Sequence, residues 1–329
     1  MREITYVEAI NEALIEEMER DERVFIFGED ITVGYGGGGM FGATRGLADR
    51  YGTDRVIDTP LSEVAISGAA LGAAMVGLRP IAEIMFGDFI AIIMDQLVNN
   101  VAKMRWVLND EVDVPIVYRT SYGAGIGAGF HHSQSFEAWL AHVPGLKVVL
   151  PSSPKDAKGL LKTAVRDNDP VMFMEHKLLY KRQSGPVPEE EFVIPLGVGE
   201  AKRTGKDVTI IATGAMVTRS LEAAGALEQS GVSAEVIDPR TIQPLDEDLI
   251  LSSVKKTGRA VIVHEAPVFG GFGGEIAALL ADRGIDYLDG PVKRVGAPFT
   301  PIPNWIKMEE YYLPNAEKIV DAVKEVIRF

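Results

Sequence analysis

Apolar residues recur at helical spacing between Tyr6 and Arg20 (Val7, Ile10, Leu14, Met18), with Thr5 placed to cap the first turn. A short apolar run, Val24-Phe25-Ile26-Phe27, ends at Gly28 and reads as a buried strand. Gly34 to Gly42 reads as a loop, because consecutive glycines lose too much backbone freedom to be held in a helix. Arg55-Val56-Ile57-Asp58 forms a second strand, and Thr59-Pro60-Leu61-Ser62-Glu63 turns it into a helix reaching Gly77. Small residues repeat along that helix (Ala65, Ala69, Ala73, Gly77, with Gly68 and Gly72 alongside) and predict close packing by another helix.

Strands and helices then alternate: Pro80 to Met85, a helix through Asp88 to Leu108, Val114 to Thr120, Lys147 to Leu150, a helix from Ser153 to Arg166, and Val171 to Glu175. Such alternation predicts a mainly parallel sheet with helices on both faces. Charged, proline-rich residues from Lys181 to Pro195 break the pattern. A second series follows over Asp207 to Ala212, Val217 to Gly231, Ala234 to Asp238, Asp246 to Thr257 and Arg259 to Val263. The fold class is therefore α/β, with two successive domains: residues 1–185, a linker over 186–204, and residues 205–329.

Composition changes the picture mainly by exclusion. The formal net charge of -14 disfavours nucleic acid and anionic membranes as partners. Zero cysteines remove disulfides, thiolate metal sites and a cysteine nucleophile, and suit a reducing cytoplasm. The most apolar stretch, Ile81 to Val98, is interrupted by Glu83, Asp88 and Asp95, so it reads as a buried helix rather than a membrane span. No cationic leader followed by an apolar run begins the chain.

Four segments carry candidate chemistry. Gly37 to Gly42 satisfies G-x-G-x-x-G with Asp58 beyond it, the pattern of a nucleotide-dependent oxidoreductase. That motif needs its first glycine to close a strand, whereas here loop intervenes after Gly28, so a plain loop is the better reading. Asp58 to Glu63 is either ordinary helix-start chemistry or a carboxyl at the carboxyl edge of a parallel sheet, where burial would raise its pKa for proton exchange. His131-His132-Ser133-Gln134-Ser135 follows the glycine-rich Gly123 to Gly129; it is either a solvated histidine pair or a histidine displayed beside a ligand. Met85-Phe86-Gly87-Asp88-Phe89 offers a thioether and two aromatics, residues that usually form core. The five histidines form no recognisable metal set.

Together these segments resemble the β subunits of the thiamine-diphosphate-dependent, decarboxylating component of 2-oxoacid dehydrogenase complexes and of acetoin dehydrogenases. The resemblance lies in VFIFGED (Val24 to Asp30), RVIDTPLSE (Arg55 to Glu63), GLRPIAE (Gly77 to Glu83), HSQS (His132 to Ser135), PGLKVVLPSSPKD (Pro144 to Asp156), AKGLL (Ala157 to Leu161), RDNDP (Arg166 to Pro170), VIDPRTIQPL (Val236 to Leu245) and HEAP (His264 to Pro267), in family order over nearly the whole chain.

The resemblance implies a pyrimidine-type thiamine-diphosphate-binding domain followed by a transketolase C-terminal-like domain. It implies that Glu63 hydrogen-bonds the aminopyrimidine of the cofactor, that Met85 and Phe89 line the pocket, and that His132 serves reductive acylation of a lipoyl arm. It also implies a structural potassium ion on mainly backbone oxygens of Ile116, Ala164, Asp167 and Asp169. The family's magnesium segment, Gly-Asp-Gly, does not occur in this chain. The resemblance therefore assigns the magnesium and diphosphate half of the site to a separate α subunit, in an α2β2 heterotetramer serving a lipoyl-bearing dihydrolipoyl acyltransferase. For the small-molecule substrate, Met85 to Phe89 and Arg119 to Gly125 resemble acetoin-type chains. Pyruvate stays open, and a branched-chain enzyme more typically has glutamine and tyrosine at the positions of Met85 and Phe89. Glu309, Glu310 and the Phe329 carboxylate are the expected acidic contacts for the acyltransferase.

Overall fold

A computed structural model describes residues 1–34 and 37–329; Tyr35 and Gly36 of the first glycine-rich segment lie outside the described residues. The chain forms two compact units, which do not follow chain order throughout. One comprises Met1–Tyr122 and Trp139–Leu196; the other comprises Gly123–Ala138 and Gly197–Phe329, so the histidine-bearing loop groups with the C-terminal half.

In the first unit, strands β2 (Val24–Glu29), β3 (Val56–Thr59), β4 (Arg79–Phe86), β5 (Val117–Tyr122), β6 (Lys147–Val149) and β7 (Val171–His176) pair in parallel, in the order β6-β7-β5-β4-β2-β3. The central strands β5 and β7 are buried along their whole length, as expected when helices cover both faces of a parallel sheet. A short antiparallel pair, β1 (Arg2–Thr5) with β8 (Ser184–Val187), went unread in the sequence.

The helix Tyr6–Arg20 opens with a reciprocal capping box between Thr5 and Glu8 and buries Ala9, Ile10, Ala13, Leu14 and Met18. It packs along the helix Pro154–Arg166, and charge pairs lace the contact: Lys158 with Glu12 and Glu16, Lys162 with Glu16, and Arg166 with Glu17. Gly28 is needed where β2 passes β4, since a Cβ there would lie 2.7 Å from the Glu83 carbonyl oxygen.

Two expectations differ from what is found. The segment from Asp88 to Leu108 is not one α-helix; Gly87–Phe89 is a 3₁₀ turn and Gln96–Val101 is π-helical, between the α-helical stretches Ile90–Asp95 and Ala102–Val107. The Asn100 side chain donates to the Asp95 carbonyl at 3.4 Å, a side-chain intrusion that accompanies the widened turn. The small-residue face of Glu63–Met75 is only partly covered: a Cβ at Gly68 would lie 3.7 Å from Gln96 Oε1, while Ala65, Ala69 and Gly72 are exposed and a Cβ at Gly72 would meet nothing within 4 Å.

The second unit contains a sheet in the order β14-β13-β10-β11-β9, built from β9 (Glu200–Arg203), β10 (Val208–Ala212), β11 (Ala234–Asp238), β13 (Ala260–Pro267) and β14 (Lys293–Ala297), with β9 antiparallel at one edge. A short strand, β12 (Thr241–Gln243), follows β11. No described helix is long and apolar enough to cross a membrane.

Candidate active site

Parallel strands bring their carboxyl ends to one edge of the sheet, and the loops leaving that edge are where ligands bind in α/β folds. In the first unit that edge is formed by Glu29 at the end of β2, Thr59 at the end of β3 and Phe86 at the end of β4. Glu63 starts the helix that follows β3 and is half-buried. Ser62 stands at its N-cap without a side-chain capping bond, its hydroxyl donating to the Pro60 carbonyl at 3.0 Å and its backbone amide to Glu29 Oε1 at 3.1 Å. Glu29 is 4% exposed, and its carboxyl is held above the ordinary value by burial first and by the charge of Glu63 second. Two carboxyl groups thus face one another at this edge, one of them out of water.

Met85 and Phe89 lie at the same edge, both half-buried, flanking the turn after β4. The Met85 carbonyl accepts from Ser121 Oγ at 2.7 Å, and Phe89 meets Phe86 edge-on at 5.7 Å between centroids. Beneath them lies a charge network absent from the sequence reading. Buried Arg119 donates to Glu83 Oε2 at 2.7 Å and, through two nitrogens, to Glu175 at 2.7 and 2.8 Å; Tyr180 donates to the same Glu175 at 2.7 Å. Burial raises the Glu83 carboxyl above its usual value, with Arg119 opposing that shift. The signal was present as single charges inside apolar strands: Glu83 in β4, Arg119 in β5 and Glu175 in β7.

The first glycine-rich loop closes over this network. Gly39 takes a φ of +71°, and a Cβ there would sit 3.7 Å from Glu83 Oε1. A cavity of about 10 Å³, room for one water, lies among Gly38, Phe41, Glu83, Met85, Arg119 and Thr120. This geometry does not serve a dinucleotide. The preceding strand ends at Glu29, the next helix begins only at Leu47, and the Asp58 carboxylate binds the Thr32 amide at 3.0 Å and its hydroxyl. Turns, rather than a helix N-terminus, follow Gly42.

His132 lies in the second unit, half-buried, with its amide donating to the Gly129 carbonyl at 3.2 Å; His131 is exposed and tilts against Phe130 at 3.9 Å. Glu63, Met85 and Phe89 therefore share one unit, and His132 belongs to the other. His264 is buried, and burial lowers its pKa to about 4, so it is a neutral core residue.

Ile116, Ala164, Asp167 and Asp169 lie at the opposite, amino edge of the first unit's sheet. The Ile116 carbonyl accepts from Val171 at 2.8 Å, that of Ala164 from Asp167 at 3.3 Å, and that of Asp167 from Arg79 Nη2 at 2.5 Å. Lys147 binds both carboxylates, at 2.7 Å for Asp167 and 2.9 Å for Asp169, and Arg105 also binds Asp169. Protein cations thus occupy these side chains, and each carbonyl keeps a second lone pair. No cluster of three acidic or histidine side chains suited to a metal occurs among the described residues.

Comparison with known proteins shows the family. Residues 2–183 match the transketolase pyrimidine-binding domain, and residues 197–319 match the transketolase C-terminal domain. The chain is 47% identical to the acetoin:2,6-dichlorophenolindophenol oxidoreductase subunit beta of Bacillus subtilis (strain 168), over 99% of this chain and 98% of that protein. It is 46% identical to the 2-oxoisovalerate dehydrogenase subunit beta and 45% identical to the pyruvate dehydrogenase E1 component subunit beta of the same organism, each over 100% of both chains. The chain belongs to the family of β subunits of thiamine-diphosphate-dependent 2-oxoacid and acetoin dehydrogenases.

Two solved structures carry the same fold. A split-gene transketolase, an inactive beta4 tetramer, superposes with a TM-score of 0.80 at 24% identity, over 99% of this chain and 98% of that one. A Pichia stipitis transketolase mutant gives 0.71 at 18% identity, over 99% of this chain and 46% of that one. Glu29 lies within VFIFGED, yet an acid closing an apolar strand is common and carries no separate signal in the sequence.

Proposed function

We propose that this chain supplies the pyrimidine-facing half of a thiamine-diphosphate site and works with an α-type subunit that holds the magnesium and diphosphate. The observation that carries this reading is Glu63 at the carboxyl edge of the parallel sheet, paired with the buried Glu29. The residues fit such a cofactor: a carboxyl for a ring nitrogen, and the half-buried Met85 and Phe89 as apolar surface for a flat ring. Thiamine diphosphate, when bound, supplies the carbanion chemistry that cleaves the bond beside a carbonyl. Glu63 holds and releases a proton toward the pyrimidine nitrogen. Glu29 keeps the neighbouring charge low, because its own carboxyl resists ionisation next to Glu63. His132 moves a proton during acyl transfer to the lipoyl group of a dihydrolipoyl acyltransferase.

The proposed assembly is an α2β2 heterotetramer. The exposed part of the small-residue face of Glu63–Met75 supports a subunit contact, since its alanines and Gly72 let another backbone come close. Acetoin or pyruvate is the proposed substrate, on the Met85 to Phe89 segment. A potassium ion on main-chain oxygens of Ile116, Ala164, Asp167 and Asp169 belongs to the same proposal, as does a cytoplasmic setting. The test is reconstitution with an α chain, thiamine diphosphate and magnesium, reading reduction of 2,6-dichlorophenolindophenol with acetoin, pyruvate and 2-oxoisovalerate in turn. Turnover should require both chains. Full turnover by this chain alone would overturn the two-chain reading.

A further inference from the structure

We propose that Glu309 is a positioning residue for His132, holding the histidine-bearing loop through its backbone amides; the inference rests on the reading that His132 serves acyl transfer. The loop and its anchors all belong to the second unit. Gly123, Gly125, Gly127 and Gly129 take φ values of +88°, +103°, +74° and +74°. Every second residue is therefore in a conformation that disfavours side chains, while Ala124, Ile126 and Ala128 between them are not. Alternation of this kind turns successive N–H groups toward one side and makes a concave anion site from backbone alone.

The anion in that nest is part of the protein. Glu309, on the helix Ile306–Tyr312, is 0% exposed, and its Oε2 accepts from Gly125 N at 2.9 Å and Gly127 N at 2.8 Å. Its Oε1 is buried without a hydrogen-bond partner, so the bonds this carboxylate makes are directed at the loop. Glu309 is therefore not the surface acid expected to dock an acyltransferase. Glu265, in β13, adds a second carboxylate, accepting from Ala124 N at 2.6 Å and Ser135 Oγ at 3.3 Å, and Asn304 Oδ1 accepts from Phe130 N at 3.3 Å. These anchors fall on both sides of His132 in the sequence. Charge-assisted bonds to two amides are about twice as strong as neutral ones, so a single side chain fixes the glycine stretch that leads into the histidine.

The test uses the assembled holoenzyme with Glu309→Ala, Glu309→Gln, His132→Ala and the double variant Glu309→Ala/His132→Ala. Two rates are read: dye reduction, which bypasses the lipoyl arm, and reductive acylation of a free lipoyl domain. With Glu309→Ala, acylation should fall on the order of tenfold to a hundredfold, as for a misplaced reacting group, while dye reduction stays within about twofold. Glu309→Gln keeps an acceptor oxygen for both amides and should restore most of the acylation rate. Hydrogen exchange of residues 123–132 should speed up in Glu309→Ala and much less in Glu309→Gln. In the His132→Ala background, Glu309→Ala should cost nothing further. Should Glu309→Ala fail to fold, Gly125→Ala, strained at its positive φ, is scored by the same two rates.

Equal loss of both rates in Glu309→Ala, or multiplied losses in the double variant, would overturn the proposal. Unchanged acylation in His132→Ala alone would instead remove the histidine reading on which it rests.

Discussion

The loop that carries His132 ends in a carboxyl group with an unusual ionisation, and that group gives the most quantitative prediction. Glu137 is 2% exposed, its Oε2 has no hydrogen-bond partner, and its pKa is pushed up from 4.5 to about 7, by burial first and with the neighbouring Glu265 adding to it. The folded chain therefore keeps this proton over a range where the unfolded chain has released it. The stabilising term is fully present below pH 4.5 and is lost as pH rises to about 7, above which the penalty is constant. At about 1.4 kcal/mol per pH unit, the interval amounts to about 3 kcal/mol. Glu137→Gln removes the ionisation and keeps the shape. The variant should match the parent near pH 4.5 and exceed it at pH 8 by about 3 kcal/mol, or about 6–12 °C in Tm for a unit of this size. Thermal melts of both proteins across pH 4.5 to 8, read as a difference, cancel every other titrating group. A gap that does not change with pH, or a variant less stable at pH 8, would refute the argument from burial.

Other expectations concern the first unit. Glu63→Gln should abolish turnover of the assembled enzyme by well over a hundredfold, a general acid–base contribution, with an unchanged melting temperature; an active variant would remove Glu63 from the mechanism. The same substitution takes away the charge that helps hold the Glu29 carboxyl up, so the pKa of Glu29, followed by infrared titration of its carboxyl band, should fall. Arg119→Met leaves Glu83 and Glu175 buried without their cation and should cost about 3–5 kcal/mol in urea denaturation, and pairing it with Glu175→Gln should recover part of that loss. Titration of the chain with NAD should give no micromolar binding, since Asp58 is engaged by Thr32 and no helix begins at Gly42.

How far the sequence alone reaches depends on the range of the interaction. The helix Tyr6–Arg20 and its Thr5 cap were legible because a capping box and an apolar stripe are complete within one stretch of chain. Strands β2, β4 and β7 were legible because burial on both faces makes continuous apolar runs. The pairing of β1 with β8 was not, since it joins residues far apart in sequence and neither strand is strongly apolar. The same limit explains the site. Glu63 stood out by resemblance, whereas Glu29 and the Arg119 network depend on which strands become neighbours.

The two glycine-rich segments make the sharpest contrast, because composition gave them nearly the same reading. Gly37 to Gly42 matches a cofactor pattern yet reads better as a plain loop, and it folds as turns above Glu83. Gly123 to Gly129 reads as a loop leading to a histidine that is either solvated or beside a ligand, and the amides of Ala124, Gly125 and Gly127 are taken by Glu265 and Glu309. In both places the glycines bring backbone close to a carboxylate of the same chain: Glu83 beside Gly39 in one unit, Glu309 at Gly125 and Gly127 in the other. Glycine here gives the close approach, and buried acid gives the fixed position. Glu29, Glu137 and Glu309 belong to the minority of acids that this chain of net charge -14 buries, and burial is a property that only the folded chain assigns.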